Sequence, residues 1–155
     1  SWAGHAGCEP SQLVARFSPD ETWKQHERGE ISDAAFFEGL RASLGIDISD
    51  VQFLEGWNAI FAGEMPGIGA MLGRAGTRLP LYAFSNTNGA HVAHFSQAYA
   101  GAPGHFREIF LSSTIGLRKP EAAAYDQAVK TVGVPVSCGH HRVVTLPPAF
   151  AWLAK

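Results

Sequence analysis

Apolar positions recur at helical spacing through the first half of the chain and then give way to short continuous runs. Ser18-Pro19-Asp20-Glu21 has the marks of a helix start, with Ser18 as cap, Pro19 at the first helical position and Glu21 completing a capping box. The spacing predicts a helix to about Arg28, stopped by Gly29. Ser32 or Asp33 opens a second helix that carries Phe36, Phe37, Leu40 and Leu44 on one side and ends at Gly45. Ser49 with Gln52 forms another capping box, leading into Phe53, Leu54, Trp57, Ile60 and Phe61. Pro66 starts a fourth helix with Ile68, Met71 and Leu72, stopping near Gly76.

The period then changes. Leu79 to Phe84 is a short apolar run closed by Ser85-Asn86-Thr87-Asn88, the pattern of a buried parallel strand ending in a polar loop. Asn88 is placed to cap a helix through about Ala98. Glu108 to Ser113 reads as a second strand, Gly116 to Pro120 as a loop, and Glu121 to Val132 as a helix closed by Gly133. That helix would turn Tyr125, Ala128, Val129 and Val132 inward. Arg142 to Leu146 is a candidate third strand. Strands alternating with helices predict an α/β fold, a doubly wound parallel sheet.

Composition narrows the function. A length of 155 residues is one domain's worth, or one domain with a small appendage. A net charge of −2 gives no electrostatic case for nucleic acid or an anionic membrane as partner, and no apolar stretch reaches the length of a bilayer span. Two cysteines, Cys8 and Cys138, cannot build a disulfide framework, so a reducing, cytoplasmic setting is expected. Eleven of the fourteen carboxylates lie before position 65. The first part is therefore expected to form solvated amphipathic helices and the second a more buried α/β layer.

Ligands of such sheets bind at the carboxyl ends of the strands. Ser85, Asn86 and Thr87 stand at one strand end, just before a helix N-terminus, where a hydroxyl, backbone N–H groups and the helix dipole together suit a phosphate. Lys119 stands in the loop after the second strand and can neutralise the same phosphate as a point charge. Singly, each segment is an ordinary turn or helix boundary; their common register with strand ends makes them a candidate site. His91 and His94, three apart on a helix, are expected on a solvated face. Cys138, His140 and His141 lack the second cluster a soft-metal site needs.

Three segments, His26-Glu27-Arg28-Gly29-Glu30-Ile31-Ser32, Phe84-Ser85-Asn86-Thr87-Asn88 and Gly116-Leu117-Arg118-Lys119-Pro120-Glu121, occur in that order. Together they resemble the haloacid dehalogenase superfamily of hydrolases with a helical cap, and within it the bacterial phosphatases of α-D-glucose 1-phosphate and similar sugar phosphates. The resemblance runs from roughly Ala15 to Pro135. It implies a Rossmann-like α/β core with a cap over residues 13–65, a partial core over 66–146 and a divergent tail over 147–155. It also implies a magnesium-dependent phosphoaspartyl mechanism on a small phosphorylated molecule, phosphatase more than dehalogenase. Ser85 would bind a phosphoryl oxygen, Asn86 would add its backbone N–H beside Thr87, and Lys119 would steady the transferring group. His26 and Glu27 would be cap contacts to a sugar.

The sequence departs from that pattern twice. No Asp-x-Asp occurs anywhere, and Arg142 to Leu146 is followed by Pro147-Pro148 rather than by carboxylates. The chain is thus expected to be a fragment without the family's first and fourth motifs, lacking the central first strand, the nucleophile and the magnesium ligands. Ser85 and Lys119 would then hold phosphate without hydrolysing it. The alternative is a non-catalytic remnant that binds a phosphorylated ligand or a protein partner.

Overall fold

The computed structural model describes residues 1–99, 101 and 103–133. Five helices come first: α1 (Trp2–Ala6), α2 (Pro10–Arg16), α3 (Glu21–Glu27), α4 (Asp33–Leu44) and α5 (Asp50–Asn58). Then follow α6 (Ile68–Gly76), β1 (Tyr82–Ser85), α7 (Gly89–Ala98), β2 (Glu108–Leu111), α8 (Ser112–Ile115) and α9 (Ala122–Val132). β1 and β2 pair in parallel, with Phe84 opposite Phe110 and Ser85 opposite Leu111. A strand, a crossover helix and a second parallel strand make one βαβ unit. The α/β class read from the sequence is the class observed.

The helix signals act where the sequence places them, with local exceptions. Ser32 Oγ accepts from the Ala35 N–H, and Ser49 with Gln52 forms a full capping box. Gly45 closes α4 at φ 66°, a left-handed conformation that costs glycine little. Ser18 and Pro19, by contrast, do not open a helix. Asp20 takes the cap because its carboxylate accepts the Trp23 N–H at 3.0 Å, so α3 starts at Glu21. Pro66 also stays outside; Gly67 caps α6. Helix α5 ends at Asn58, leaving Ile60 and Phe61 beyond it.

The strands are shorter than the apolar runs. β1 begins at Tyr82 rather than Leu79, since Pro80 has no N–H to give the ladder and Leu79 is 65% exposed. β2 stops at Leu111, and Ser112 and Ser113 belong to α8. In α9 the buried position is Ala124, while Tyr125, expected inward, is 40% exposed. Its ring lies 6.3 Å from that of Phe84 on β1, in a sheet of two strands among the described residues. Arg142 to Leu146, Cys138, His140, His141 and the 147–155 tail lie outside the described residues.

The expected division into a solvated first part and a buried second part is reversed. Leu13, Phe36, Leu40, Leu44, Ile46, Ile48, Phe53 and Trp57 form one cluster within the helical layer, with Trp2, Trp23 and Phe37 packed against it. The sheet contributes Phe110 and the helix on it Ala124, and all four residues of β1 are only half-buried. Aromatic rings explain the difference. Phe53 is fully buried, stacked on Trp2 at 4.6 Å between centroids, and Trp57 lies within 5.5 Å of both Phe36 and Phe37. Each such ring removes a large apolar area from water and adds an edge or stacking contact. The Trp2 indole N–H donates to the Phe53 carbonyl at 2.8 Å, so the first helix is tied into this cluster. Carboxylate content had marked the solvent face of these helices and not their depth.

Candidate functional site

The site lies where β1 and β2 end. Ser85 is the last residue of β1 and half-buried; its hydroxyl makes one long contact, 3.4 Å, to the Asn86 carbonyl. Asn86 joins the two loops. Its side-chain oxygen accepts from the Lys119 N–H at 2.9 Å, and its amide donates to the Lys119 carbonyl, also at 2.9 Å. Expected to act through its backbone N–H, Asn86 carries its structural role in its side chain. Thr87 is buried, and the hydroxyl of Ser112 accepts its N–H at 2.9 Å and donates to its carbonyl at 3.0 Å. The Thr87 main chain is therefore committed to protein partners. Ser112, wholly buried, went unremarked in the sequence because a serine after an apolar strand looks like any strand end.

Lys119 reaches back across the loop. Its ammonium donates to the Phe84 carbonyl at 2.6 Å and stands 5.2 Å from the centre of the Phe84 ring. The Leu81 carbonyl accepts from Arg107 on the β2 side. The two-residue alternation of a strand therefore turns the Phe84 carbonyl to the opposite edge of β1, which has no strand neighbour among the described residues. The lysine thus caps an edge carbonyl that would otherwise lack a partner. Burial pushes its pKa below that of an ordinary lysine, with the Glu27 carboxylate opposing the shift. The ammonium is thus partly desolvated and close to the end of β1.

His26 and Glu27, the candidate cap contacts to a sugar, are both engaged with protein partners. His26 is 2% exposed, stacked on Phe36 at 4.0 Å and hydrogen-bonded through Nε2 to Asp33 at 2.6 Å. Burial lowers its pKa, although the Asp33 carboxylate pulls the other way. Glu27 is paired with Arg118 at 2.6 Å, on the loop beside Lys119. Of the six residues singled out, Ser85, Asn86, Thr87 and Lys119 gather at one place, Glu27 borders it, and His26 belongs to the aromatic core.

His91 is the other correction. Expected on a solvated face, it is 8% exposed. Its ring stacks on Trp57 at 5.0 Å, and Nε2 donates to the Trp57 carbonyl at 3.1 Å. Nδ1 then accepts from the Asn88 amide at 3.1 Å, while Asn88 Oδ1 caps α7 through the His91 N–H and also receives the Trp57 indole N–H at 3.3 Å. Desolvation pushes the His91 pKa down to about 4. The missed signal was its spacing, three residues after the cap, which aims it back over Asn88. His94 lies half-buried against Phe61, with ring centres 5.2 Å apart.

No group of three His, Cys, Asp or Glu side chains suited to a metal ion occurs among the described residues. Glu27 and Asp33, two carboxylates of the helical layer on this side, are committed to Arg118 and His26. The described residues therefore do not fit a magnesium centre, which needs free oxygen ligands.

No protein-family model matches the chain. Solved structures do. A haloacid dehalogenase (HAD) family enzyme from Bacteroides thetaiotaomicron, in complex with magnesium and inorganic phosphate, superposes with a TM-score of 0.68 at 25% identity, over 80% of this chain and 65% of that one. The fold is that of the HAD enzymes. The magnesium complex of the same enzyme matches with a TM-score of 0.65 at 26% identity, over 74% and 61% of the two chains. A HAD-like family hydrolase from Porphyromonas gingivalis shares the fold at a TM-score of 0.69 and 15% identity, over 86% of this chain and 66% of that one. This chain spans less than two thirds of the length of each. No helix among the described residues is long and apolar enough to cross a membrane.

Proposed function

We propose that the chain is a HAD-like hydrolase at the level of its family, of the phosphatase kind, whose described part binds a small phosphorylated molecule and does not itself hydrolyse it. The helical layer, residues 13–65, would be the cap and residues 66–146 the core. One observation supports this reading above the others: paired hydrogen bonds between the Asn86 side chain and the Lys119 main chain hold the Lys119 loop against the end of β1, where the partly desolvated ammonium lies on Phe84, the residue before Ser85. A hydroxyl and a cation fixed in this way can take a phosphoryl group with little reorganisation. The Lys119 ammonium need only exchange the Phe84 carbonyl for a phosphate oxygen. A HAD enzyme of the same fold has been solved with inorganic phosphate and magnesium. The reading places no nucleophile and no metal in this chain, because its sequence has no Asp-x-Asp and the two carboxylates on this side of the helical layer, Glu27 and Asp33, are engaged. Magnesium and a cytoplasmic setting belong to this family-level reading.

The test is a titration with inorganic phosphate followed by amide NMR. Shifts at Ser85, Asn86 and Lys119 that vanish in Lys119→Met are expected, together with no release of phosphate from an aryl phosphate in magnesium buffer. Turnover that Lys119→Met abolishes would overturn the non-catalytic part. Absence of any phosphate-dependent shift would overturn the binding part.

A further inference from the structure

Two ion pairs cross between α3 and the Lys119 loop with opposite polarity. Glu27 on the helix accepts from Arg118 Nε at 2.6 Å, with the two side chains 12% and 18% exposed. Arg28, the next residue, reaches Glu121 at 3.3 Å. Glu121 also accepts from the Arg118 N–H at 3.4 Å, and Arg28 is held in place by Glu21 and Glu30. Gly29 follows at φ 71°, so close to α8 that a Cβ there would overlap the Ser113 carbonyl. The helical layer thus rests on the core at a charged end formed by residues 27–29, and at a second end where Trp57 meets Asn88 and His91.

Between these ends the layer joins the core through residues 59–67. Ala62 to Gly67 are exposed, and Gly63 and Gly67 stand at φ 116° and 80°. Phe61 packs on the rings of His91 and Phe95 at the second end, but residues 62–67 have few contacts to hold the layer down. Its seating must come from the two non-covalent ends. At the charged end, neither member of the Glu27–Arg118 pair can leave without stranding the other in a mostly dry interface.

We propose that Glu27–Arg118 and Arg28–Glu121 are a clasp that seats the helical layer on the core and, in the same act, fixes the loop carrying Lys119. Glu27 is then a positioning residue for the Lys119 ammonium rather than a contact to a sugar. The opposite polarity of the two pairs sets the register: a shift of the layer along the loop brings like charges together. The consequence for phosphate rests on the function proposed above; the clasp itself does not.

The experiment is hydrogen exchange by NMR on the full chain without ligand. It follows the Lys119 amide, bonded to Asn86, and the Trp57 indole N–H, bonded to Asn88 at the far end. Glu27→Arg should speed both about tenfold or more, as it sets two cations against each other in a half-buried contact and opens the whole interface. Arg118→Lys keeps the charge and should leave both near their original rates, and Glu27→Arg with Arg118→Glu should recover both. Acceleration confined to residues 27–30 and 113–121, or none, would overturn the clasp. If Glu27→Arg fails to fold, Glu27→Gln takes its place with a smaller acceleration at both probes, and an unchanged Trp57 indole overturns the proposal there too. Coupled exchange without phosphate shifts keeps the clasp and removes the phosphate reading; phosphate shifts without coupled exchange do the reverse.

Discussion

Acidification should loosen the molecule through His91. At neutral pH the ring is uncharged, accepting from Asn88 at Nδ1 and donating to the Trp57 carbonyl at Nε2. A proton on Nδ1 would set two donors against each other. Asn88 cannot turn its oxygen toward the ring without giving up the cap of α7 and the Trp57 indole. Protonated His26 and His94 would add repulsion, and Asp33 is a carboxylate facing the ring that opposes it. The folded-state pKa of about 4 lies below the ordinary 6.5, so between these values the unfolded chain binds more protons. Stability is therefore full above pH 6.5 and falls as the pH drops toward 4, by about 3 kcal/mol from this residue. His91→Phe keeps a ring on Trp57 but cannot titrate. It should cost roughly 1–3 kcal/mol at pH 7, where the Trp57 carbonyl and the Asn88 amide lose their partner. That deficit should shrink or vanish near pH 4. Urea unfolding followed by tryptophan fluorescence at a series of pH values gives both curves, and their difference removes the carboxylates common to both. A constant difference from pH 7 to 4, or a His91 ring that titrates near 6.5 in the folded protein by NMR, would refute the reasoning.

Two further outcomes follow from burial. Ser112→Ala leaves the Thr87 N–H and carbonyl without their partner and should lower stability by about 1–3 kcal/mol in thermal melts; an unchanged melting temperature would mean that the loop has other support. Phe53→Ala opens a cavity beneath Trp2 and Trp57 and should cost roughly 3–5 kcal/mol, with a red shift of tryptophan emission as the stack loosens.

The candidate site was legible where function depends on local order. Ser85 and Asn88 could be placed at a strand end and a helix start because hydroxyl and amide caps act within three residues, and the structure has both. Lys119 could be placed in a loop for the same reason. Its actual bonds, to the Phe84 carbonyl and to the Asn86 side chain, span more than thirty positions and left no mark in its neighbours. Glu27 shows the limit most plainly. On a helix end beside Arg28 and Glu30 it stands as a candidate contact to a sugar, yet its partner is Arg118, 91 positions away.

The sequence alone determined the order of the elements from α3 onward apart from the short α8, the caps Ser32, Ser49 and Asn88, the glycine stops at Gly45 and Gly133, and the parallel α/β class, but not α1 or α2. These depend on spacing and on hydrogen bonds that close over a few residues. Only the tertiary structure decided where depth lies. It buried His26 and His91, exposed Tyr125 and Leu79, and moved the main core from the sheet to the helical layer. The reason is that a periodic pattern says which face of an element avoids water but not how much apolar surface stands opposite it. Here the aromatic rings of four helices, α1, α3, α4 and α5, stand opposite one another, while the described sheet has two strands to offer.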